Sequence, residues 1–364
     1  LLLYIHIPFC DSKCFYCAFN SYTTKNNLKT EYIDALKVQL KENILKYLKS
    51  SDKLLDTIFI GGGTPSTINA SLYKDIFDML KPYFSKGIEI TSEANPNSAT
   101  LRWQKQMFDL GVNRISFGVQ SFNDKKLKFL GRNHNQNNAI KAIQNAKCIG
   151  FNSINCDIIY GVIGDNFELL KKDFDTILDL EVNHISAYSL IIEDDTKFSL
   201  SEKSLSKVNK SLKIDDEELS YRLFDYLNNI GFIQYEIANF AKNKEFFSRH
   251  NFGYWEHKEY LGVGAGAVAY VNKKRQYSQT NIKEYIKNPN LVVTEEISDK
   301  DIKSEKVLLG FRSNVGVDIE LFSDNELKKI YDLLKIDKVC IIKNRVYNNN
   351  FLLADEVTLY ILDY

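Results

Sequence analysis
The sequence carries no surplus of charge. Lys+Arg and Asp+Glu each number 47 among 364 residues, so the formal net charge is zero. A nucleic-acid binder needs a basic surplus or patch to neutralise phosphate. No basic run long enough to serve is present, so no nucleic-acid partner is expected. No stretch of about 18 apolar residues occurs, which excludes a spanning helix. The start does not resemble a secretory leader either: it is apolar but short, and His6 and Pro8 end it. Nor do the six cysteines suit a disulfide framework, which would spread its pairs through a short secreted chain. These absences point to a cytoplasmic protein.

What is present is a chain 44% hydrophobic and long enough to bury a large core over more than one domain. Through the first 190 residues, β-rich runs alternate with helical patterns, the signature of a parallel sheet of βα units. Strands are predicted at 3–7, 57–60, 88–91, 114–119, 154–159 and 184–190. A helix opened by a Thr30 cap fills the first interval, with Leu36, Leu40 and Ile44 on one face. Further helices fit 72–84, 101–110, 138–149 and 169–180, with Gly111 and Gly150 as stops. Six such units curl into most of a barrel.

Residues 193–213 are polar and read as a connecting segment. Asp215 or Asp216 then caps a helix striped by Leu219, Leu223, Leu227 and Ile230 and ended by Gly231, and a strand-like run covers 232–238. LGVGAGAVAY at 261–270 matches neither nucleotide fingerprint, and close backbone packing is the better reading. From about Ser298 come helices at 304–312 and 324–334. A hairpin of 339–342 with 351–354, joined through an Asn-rich turn, and a closing helix follow. The fold class is α/β: a partial (β/α)6 barrel followed by a smaller α+β, winged-helix-like C-terminal domain. The expected division is 1–210, a connecting region 211–297, and 298–364.

Three of the six cysteines fall within eight residues, in CDSKCFYC directly after the first strand. Cys148, Cys156 and Cys340 are scattered and read as buried small hydrophobes. Cys10, Cys14 and Cys17 can bind three irons of a cubane, and a cubane has four. The fourth iron then keeps an open position for S-adenosylmethionine, whose sulfonium can be cleaved to a carbon radical by electron transfer. Zinc is the competitor, since three Cys and one His would close a tetrahedral site. No His lies downstream at finger spacing, and the loop sits on a barrel strand, where functional residues gather at C-terminal strand ends. GGGTP ends the second strand, Glu93 and Gln120 follow the third and fourth, and Asp157 lies on the fifth.

In order, YIHIPFCDSKCFYC, GGGTPS, SEANP, ISFGVQSF, LGRNH and DIIYG resemble the oxygen-independent coproporphyrinogen III oxidase family of radical SAM proteins. The resemblance covers most of the chain and implies a radical-SAM partial barrel. It implies that Cys10, Cys14 and Cys17 bind a [4Fe-4S] cluster, with Tyr4 and Tyr16 beside the S-adenosylmethionine site. For those two tyrosines, ordinary aromatic packing is the alternative. Gly62, Gly63 and Thr64 would contact the methionyl part, and Glu93 would bind the same ligand. Gln120, Arg132 and Asp157 match residues that hold a second molecule in the oxidase.

The sequence departs from the oxidase at two places. Phe19 stands where the oxidase has a further Cys, and the chain starts at the barrel strand without the oxidase's N-terminal extension. Both departures argue against decarboxylation of coproporphyrinogen. At 249–255, RHNFGYW holds His250, Asn251, Tyr254 and Trp255 in a pattern that resembles the haem-binding signature of HemW-type haem chaperones. On spacing alone such a His is a packed or capping residue; the resemblance makes it a haem ligand, with His257 a weaker alternative. An imidazole suits haem iron, and Tyr and Trp offer flat faces to a porphyrin. The expectation is a haem chaperone that passes haem to an acceptor protein, such as a membrane-bound respiratory enzyme reached by transient membrane contact. The cluster and S-adenosylmethionine would support binding, homodimer formation or transfer. The rivals are the oxidase itself and a radical-SAM enzyme acting on another substrate.

Overall fold
A strand that packs on helices with one face and lines a cavity with the other alternates apolar and polar residues with period two. The computed structural model, which describes residues 1–50, 53–204 and 216–362, has six such strands. They are β1 (Leu2–Ile7), β2 (Leu55–Gly62), β3 (Phe84–Ala94), β4 (Arg114–Gln120), β5 (Ser153–Tyr160) and β6 (His184–Ser189). Each pairs in parallel with the next, in chain order. Leu3, Ile5, Ile58, Ile60, Ile90 and Ile115 are at most 1% exposed. They share one core with Leu36 of helix Lys29–Asn43, Met107 of Leu101–Leu110, Ile143 of Gln136–Ile149 and Phe174 of Phe167–Asp179. Each such side chain contributes roughly 1.5–3 kcal/mol on full burial. The opposite face is polar at the same period: Tyr4 and His6 on β1, Glu89 and Glu93 on β3, Ser116 on β4, Asn155 and Asp157 on β5.

Local chemistry sets the helix ends. Thr100, Asn135 and Asn166 each accept a backbone N–H as N-cap, and Gly111 and Gly150 close helices with φ of 113° and 101°. Beyond β6 the sheet continues antiparallel with β7 (Ile233–Gln234) and β8 (Asn239–Ala241), in the order β6-β8-β7. At the other edge β9 (Tyr260–Val263) runs parallel to β1. Then β10 (Val268–Val271), β11 (Lys274–Ser278) and β12 (Val292–Glu296) follow in antiparallel steps. Among the described residues this is one twelve-stranded mixed sheet. A separate antiparallel sheet holds β13 (Val317–Asp318), β14 (Val339–Ile342) and β15 (Arg345–Asn348). It packs with helices Asp299–Phe311, Asp324–Lys335 and Ala354–Leu362 around a core of its own that includes Phe311, Ile330 and Val346. No helix among the described residues is long and apolar enough to cross a membrane.

Several local expectations are corrected. Helix Lys29–Asn43 is entered from a 3-10 turn, Asn26–Leu28, so its N-cap is Leu28 and Thr30 lies inside the first turn. The turn's own bonds replace a side-chain cap. The helix expected at 72–84 is α-helical only over Lys74–Leu80, because Pro82 lacks an N–H; Phe84 already opens β3. The run 232–238 folds back on itself, with the Tyr235 N–H donating to the Asn239 carbonyl at 3.2 Å. Part of the expected connecting segment is helical, Lys197–Ser204, while 205–215, Asp215 included, lies outside the described residues. The C-terminal hairpin turns early: Lys343 and Asn344 have φ of 47° and 65°, so β14 pairs with β15 and not with 351–354. Asn350 instead caps the 3-10 turn Phe351–Leu353. Cys148 is exposed, Cys156 is buried and Cys340 is half-buried.

The glycine-rich run proves to be a close-packing device. A Cβ on Gly262 would lie 1.9 Å from the Val268 carbonyl oxygen. Gly262→Ala should therefore cost about 1–3 kcal/mol or more, read as a lower urea midpoint. Gly87→Ala, with nothing within 4 Å of its Cβ at φ +73°, should cost only the ~1–2 kcal/mol of left-handed backbone.

Candidate cofactor site
The polar inner face of the sheet, the loop after β1 and the helix Arg249–Trp255 enclose a cavity of about 1080 Å³. It opens at the C-terminal ends of the parallel strands, where a barrel of this handedness gathers its functional groups. Cys10, Cys14 and Cys17 all line it. Their loop is tied down at two points: Cys10 N–H donates to the Tyr22 carbonyl at 3.1 Å, and Phe15 N–H to that of Leu130 at 3.1 Å. Cys10 Sγ lies 3.4 Å from Thr64 Oγ1, and Arg132 Nη1 donates to Cys14 Sγ at 3.2 Å. Burial raises the Cys10 and Cys17 thiols above their ordinary pKa. Such thiols keep their protons until a metal takes their place. Among the described residues no three Cys, His, Asp or Glu side chains converge on a point that one metal ion could occupy. A cubane takes each thiolate on a different iron, and three cysteines on one cavity wall suit that ligand set.

The GGGTP loop sits where it does because side chains are absent. A Cβ on Gly62, which has φ +110°, would lie 2.4 Å from the His6 ring. One on Gly63 would lie 2.8 Å from the carbonyl oxygens of Ile7 and Phe9. Gly62 N–H donates to Glu93 Oε2 at 3.1 Å. Burial, then the charge of Asp157, pushes the Glu93 carboxyl up to about 8. Asp157 is itself raised by burial, although Asn155 Nδ2 donates to it at 2.7 Å. Gln120 reaches the cavity from a left-handed backbone, φ 68°, a strain that the surrounding strands must hold. Arg132 Nη2 donates to the Gly118 carbonyl at 2.5 Å. Tyr4 and Tyr16 line the same cavity.

Helix Arg249–Trp255 is seated by one carboxylate. Glu89 of β3, 8% exposed, accepts the N–H of Arg249 and of His250, both at 3.0 Å, while Ser248 caps the helix through Asn251. His250 is 1% exposed, and both ring nitrogens are engaged: Nδ1 with Thr57 Oγ1 at 2.7 Å, Nε2 with the Tyr254 hydroxyl at 2.9 Å. Burial first, then Arg114, lowers its pKa to about 3, so the imidazole is neutral. It lies against Phe59 and Tyr254, with ring centroids 5.2 and 4.8 Å away. Asn251 and Tyr254 line the cavity with it, and so does His257. Trp255 does not; it is half-buried on another side of the helix, its Nε1–H without a hydrogen-bond partner.

Every other candidate residue read from the sequence lines this cavity. Sequence reasoning missed His6, Phe59, Arg114, Ser116, Asn155 and Ser186 in the same wall. Their signal was present for all but Phe59: each of the other five sits two residues from another cavity residue on a strand whose alternate positions are apolar. Tyr260, Tyr270, Arg275 and Glu305 also line it, but nothing in their local sequence sets them apart.

The fold and the thiol loop define a radical SAM protein: the sequence model of the radical SAM superfamily matches residues 4–177. The structure of Escherichia coli coproporphyrinogen III oxidase (HemN) shares the fold, with a TM-score of 0.82 at 20% identity over 99% of this chain and 89% of that one. Within that class the chain belongs to the HemW family. Heme chaperone HemW of Bacillus subtilis (strain 168) is 34% identical over 333 residues, 88% of this chain and 86% of that protein. The HemW of Lactococcus lactis (strain IL1403) is 31% identical over 369 residues, 99% and 93% of the two chains.

Two outcomes follow from the electrostatics. Glu89→Ala leaves two helix N–H groups without their acceptor and should lower the free energy of unfolding by roughly 2–4 kcal/mol in urea titrations. For Glu93, the unfolded chain ionises near the ordinary 4.5 while the folded chain holds its proton to about 8. Its contribution to stability therefore falls as pH rises through that window and is flat above it. In the ligand-free protein, Glu93→Gln should gain on wild type between pH 5 and 8 by up to about 1.4 kcal/mol per pH unit, then run parallel to it.

Proposed function
We propose that this protein is a haem carrier that holds a [4Fe-4S] cluster and S-adenosylmethionine in the same chamber that receives its cargo. The observation that supports this most directly is that the thiol loop and the helix bearing His250 face one cavity. Small-molecule sites run to roughly 300–1,000 Å³, and a chamber of about 1080 Å³ reaches the upper end of that range. Membership of the HemW family, whose named members are heme chaperones, points the same way.

In this reading residues 1–210 carry the cluster and S-adenosylmethionine, 211–297 carry the haem motif, and 298–364 close the cavity. Cys10, Cys14 and Cys17 hold the cluster, which supplies one-electron chemistry when bound. Gly62, Gly63 and Thr64 offer close backbone to the methionyl part of S-adenosylmethionine. Glu93, half ionised near its shifted pKa, becomes a full counter-charge once an ammonium group lies beside it. Tyr4 and Tyr16 pack beside the same ligand, and Gln120, Arg132 and Asp157 would hold a second molecule. For His250 to reach haem iron, its Nε2 must leave the Tyr254 hydroxyl. That exchange lowers affinity, which suits a carrier that has to release its load to an acceptor protein. Trp255, which does not line the cavity, has no part in stacking on the porphyrin. Phe19, 69% exposed at the cavity rim, offers no ligand where the oxidase has a thiol.

Titration of the anaerobically reconstituted protein with haem should give a Soret shift in the wild type that His250→Ala loses. An unchanged shift in the variant would return His250 to the role of a packed core residue. Cys14→Ala should lose the broad cluster absorption while keeping its far-UV circular dichroism, because the loop lies outside the hydrophobic core. If the protein instead turned coproporphyrinogen into protoporphyrinogen at a useful rate, the carrier reading would fall.

A further inference from the structure
The cavity wall beside the C-terminal domain holds a group of charges that no part of the proposed cofactor chemistry uses. Arg275 projects from β11, and His257 stands in the turn that leaves the motif helix. Both converge on a single carboxylate, Glu305 of helix Asp299–Phe311. Arg275 Nη2 donates to Glu305 Oε1 at 2.8 Å, and His257 Nε2 donates to Glu305 Oε2 at 2.8 Å. All three residues line the cavity. The two donors belong to the sheet and the motif, while the acceptor arrives from a different domain. The His257 ring, whose side chain is 6% exposed, is fixed against Tyr270 with centroids 4.8 Å apart. Its backbone is held in the left-handed region at φ 55°. A rigid guanidinium and a packed imidazole, each giving one hydrogen bond to one oxygen, make a two-pronged cradle for a carboxylate.

We propose that Arg275 and His257 form a carboxylate-binding subsite of the cavity, filled by Glu305 when the chamber is empty and by a propionate of the tetrapyrrole when it is loaded. This rests on the haem-carrier reading and adds to it the group that orients the cargo. Two features make Glu305 exchangeable. Its side chain keeps 29% of its exposure, so opening the ion pair leaves no buried charge stranded. It also comes from the smaller domain, whose other ties to this wall include the exposed pair Lys273–Asp299. The aromatic rings between the cradle and His250 form a continuous wall: His257 against Tyr270, Tyr270 near Tyr260 at 6.3 Å, Tyr260 against Tyr254 at 4.8 Å. A flat porphyrin lying along these rings presents its iron toward the motif helix and its carboxylate toward Arg275. Loading then removes one tie between helix Asp299–Phe311 and the sheet, and unloading restores it.

The test is a double-mutant cycle read by haem titration of the reconstituted full chain. Glu305→Gln removes the internal competitor and should tighten haem binding roughly tenfold, the scale of one charge-assisted pair. Arg275→Gln should weaken binding by a similar factor, and in that background Glu305→Gln should gain nothing further. Haem dimethyl ester, which lacks the carboxylates, should bind wild type and Arg275→Gln alike. Hydrogen exchange across 299–311 should rise when haem is added to the wild type. No gain in Glu305→Gln, an undiminished gain without Arg275, or equal affinity of the wild type for haem and its ester overturns the subsite. If those effects are absent while His250→Ala still abolishes binding, the carrier reading stands alone. If no variant binds haem, both fall.

Discussion
The inner face of the parallel sheet is polar, and the rest of the structure answers to that constraint. A barrel of six strands that placed apolar side chains inside would pack itself shut. Here Tyr4, Glu93, Ser116, Asn155 and Asp157 face inward, and their desolvation is unfavourable unless partners or ligands meet them. The outward face supplies the compensating burial, through aliphatic side chains that are almost wholly excluded from water. Two carboxyls, Glu93 and Asp157, raise each other's cost inside the chamber, and the nearest fixed cations are Arg114 and Arg132. A site that tolerates this arrangement is built to be completed by charged ligands.

The second organising contact is Glu89. It lies four residues before Glu93 on the same strand and the same face, yet it serves structure: it fixes the start of helix Arg249–Trp255. One strand thus carries both the acid that accepts the Gly62 N–H and the acid that seats the helix of His250. Displacement of β3 would move both, so the Gly62 backbone and the motif helix are held in one frame although 187 residues separate Gly62 from Arg249 in sequence.

The two open ends of the sheet divide the labour. At the β1 edge, β9 to β11 bring Tyr260, Tyr270 and Arg275 into the wall and so widen a partial barrel into a chamber. The C-terminal domain closes it with helix Asp299–Phe311, whose Glu305, Leu308 and Leu309 face the cavity. Its own core is small and separate, which lets it meet the barrel through polar contacts.

The sequence by itself determined the six strands, the main barrel helices and the place of the thiol loop. Those features depend on local periodicity, on caps such as Thr100 and Asn135, and on stop glycines whose φ only glycine tolerates well. It missed the boundaries where a neighbouring segment decides the outcome. Pro82 cut a helix short, two left-handed residues turned the last hairpin early, and a turn closed by the Tyr235 N–H ended the expected 232–238 strand after Gln234. Tertiary structure alone decided that Trp255 turns away from the cavity while His250 enters it with both nitrogens satisfied, since a seven-residue motif does not state which side of its helix meets the sheet. It alone joined Arg275 and His257 to Glu305. Those contacts span 30 and 48 residues and two domains, and spatial convergence over such separations leaves no trace in local pattern.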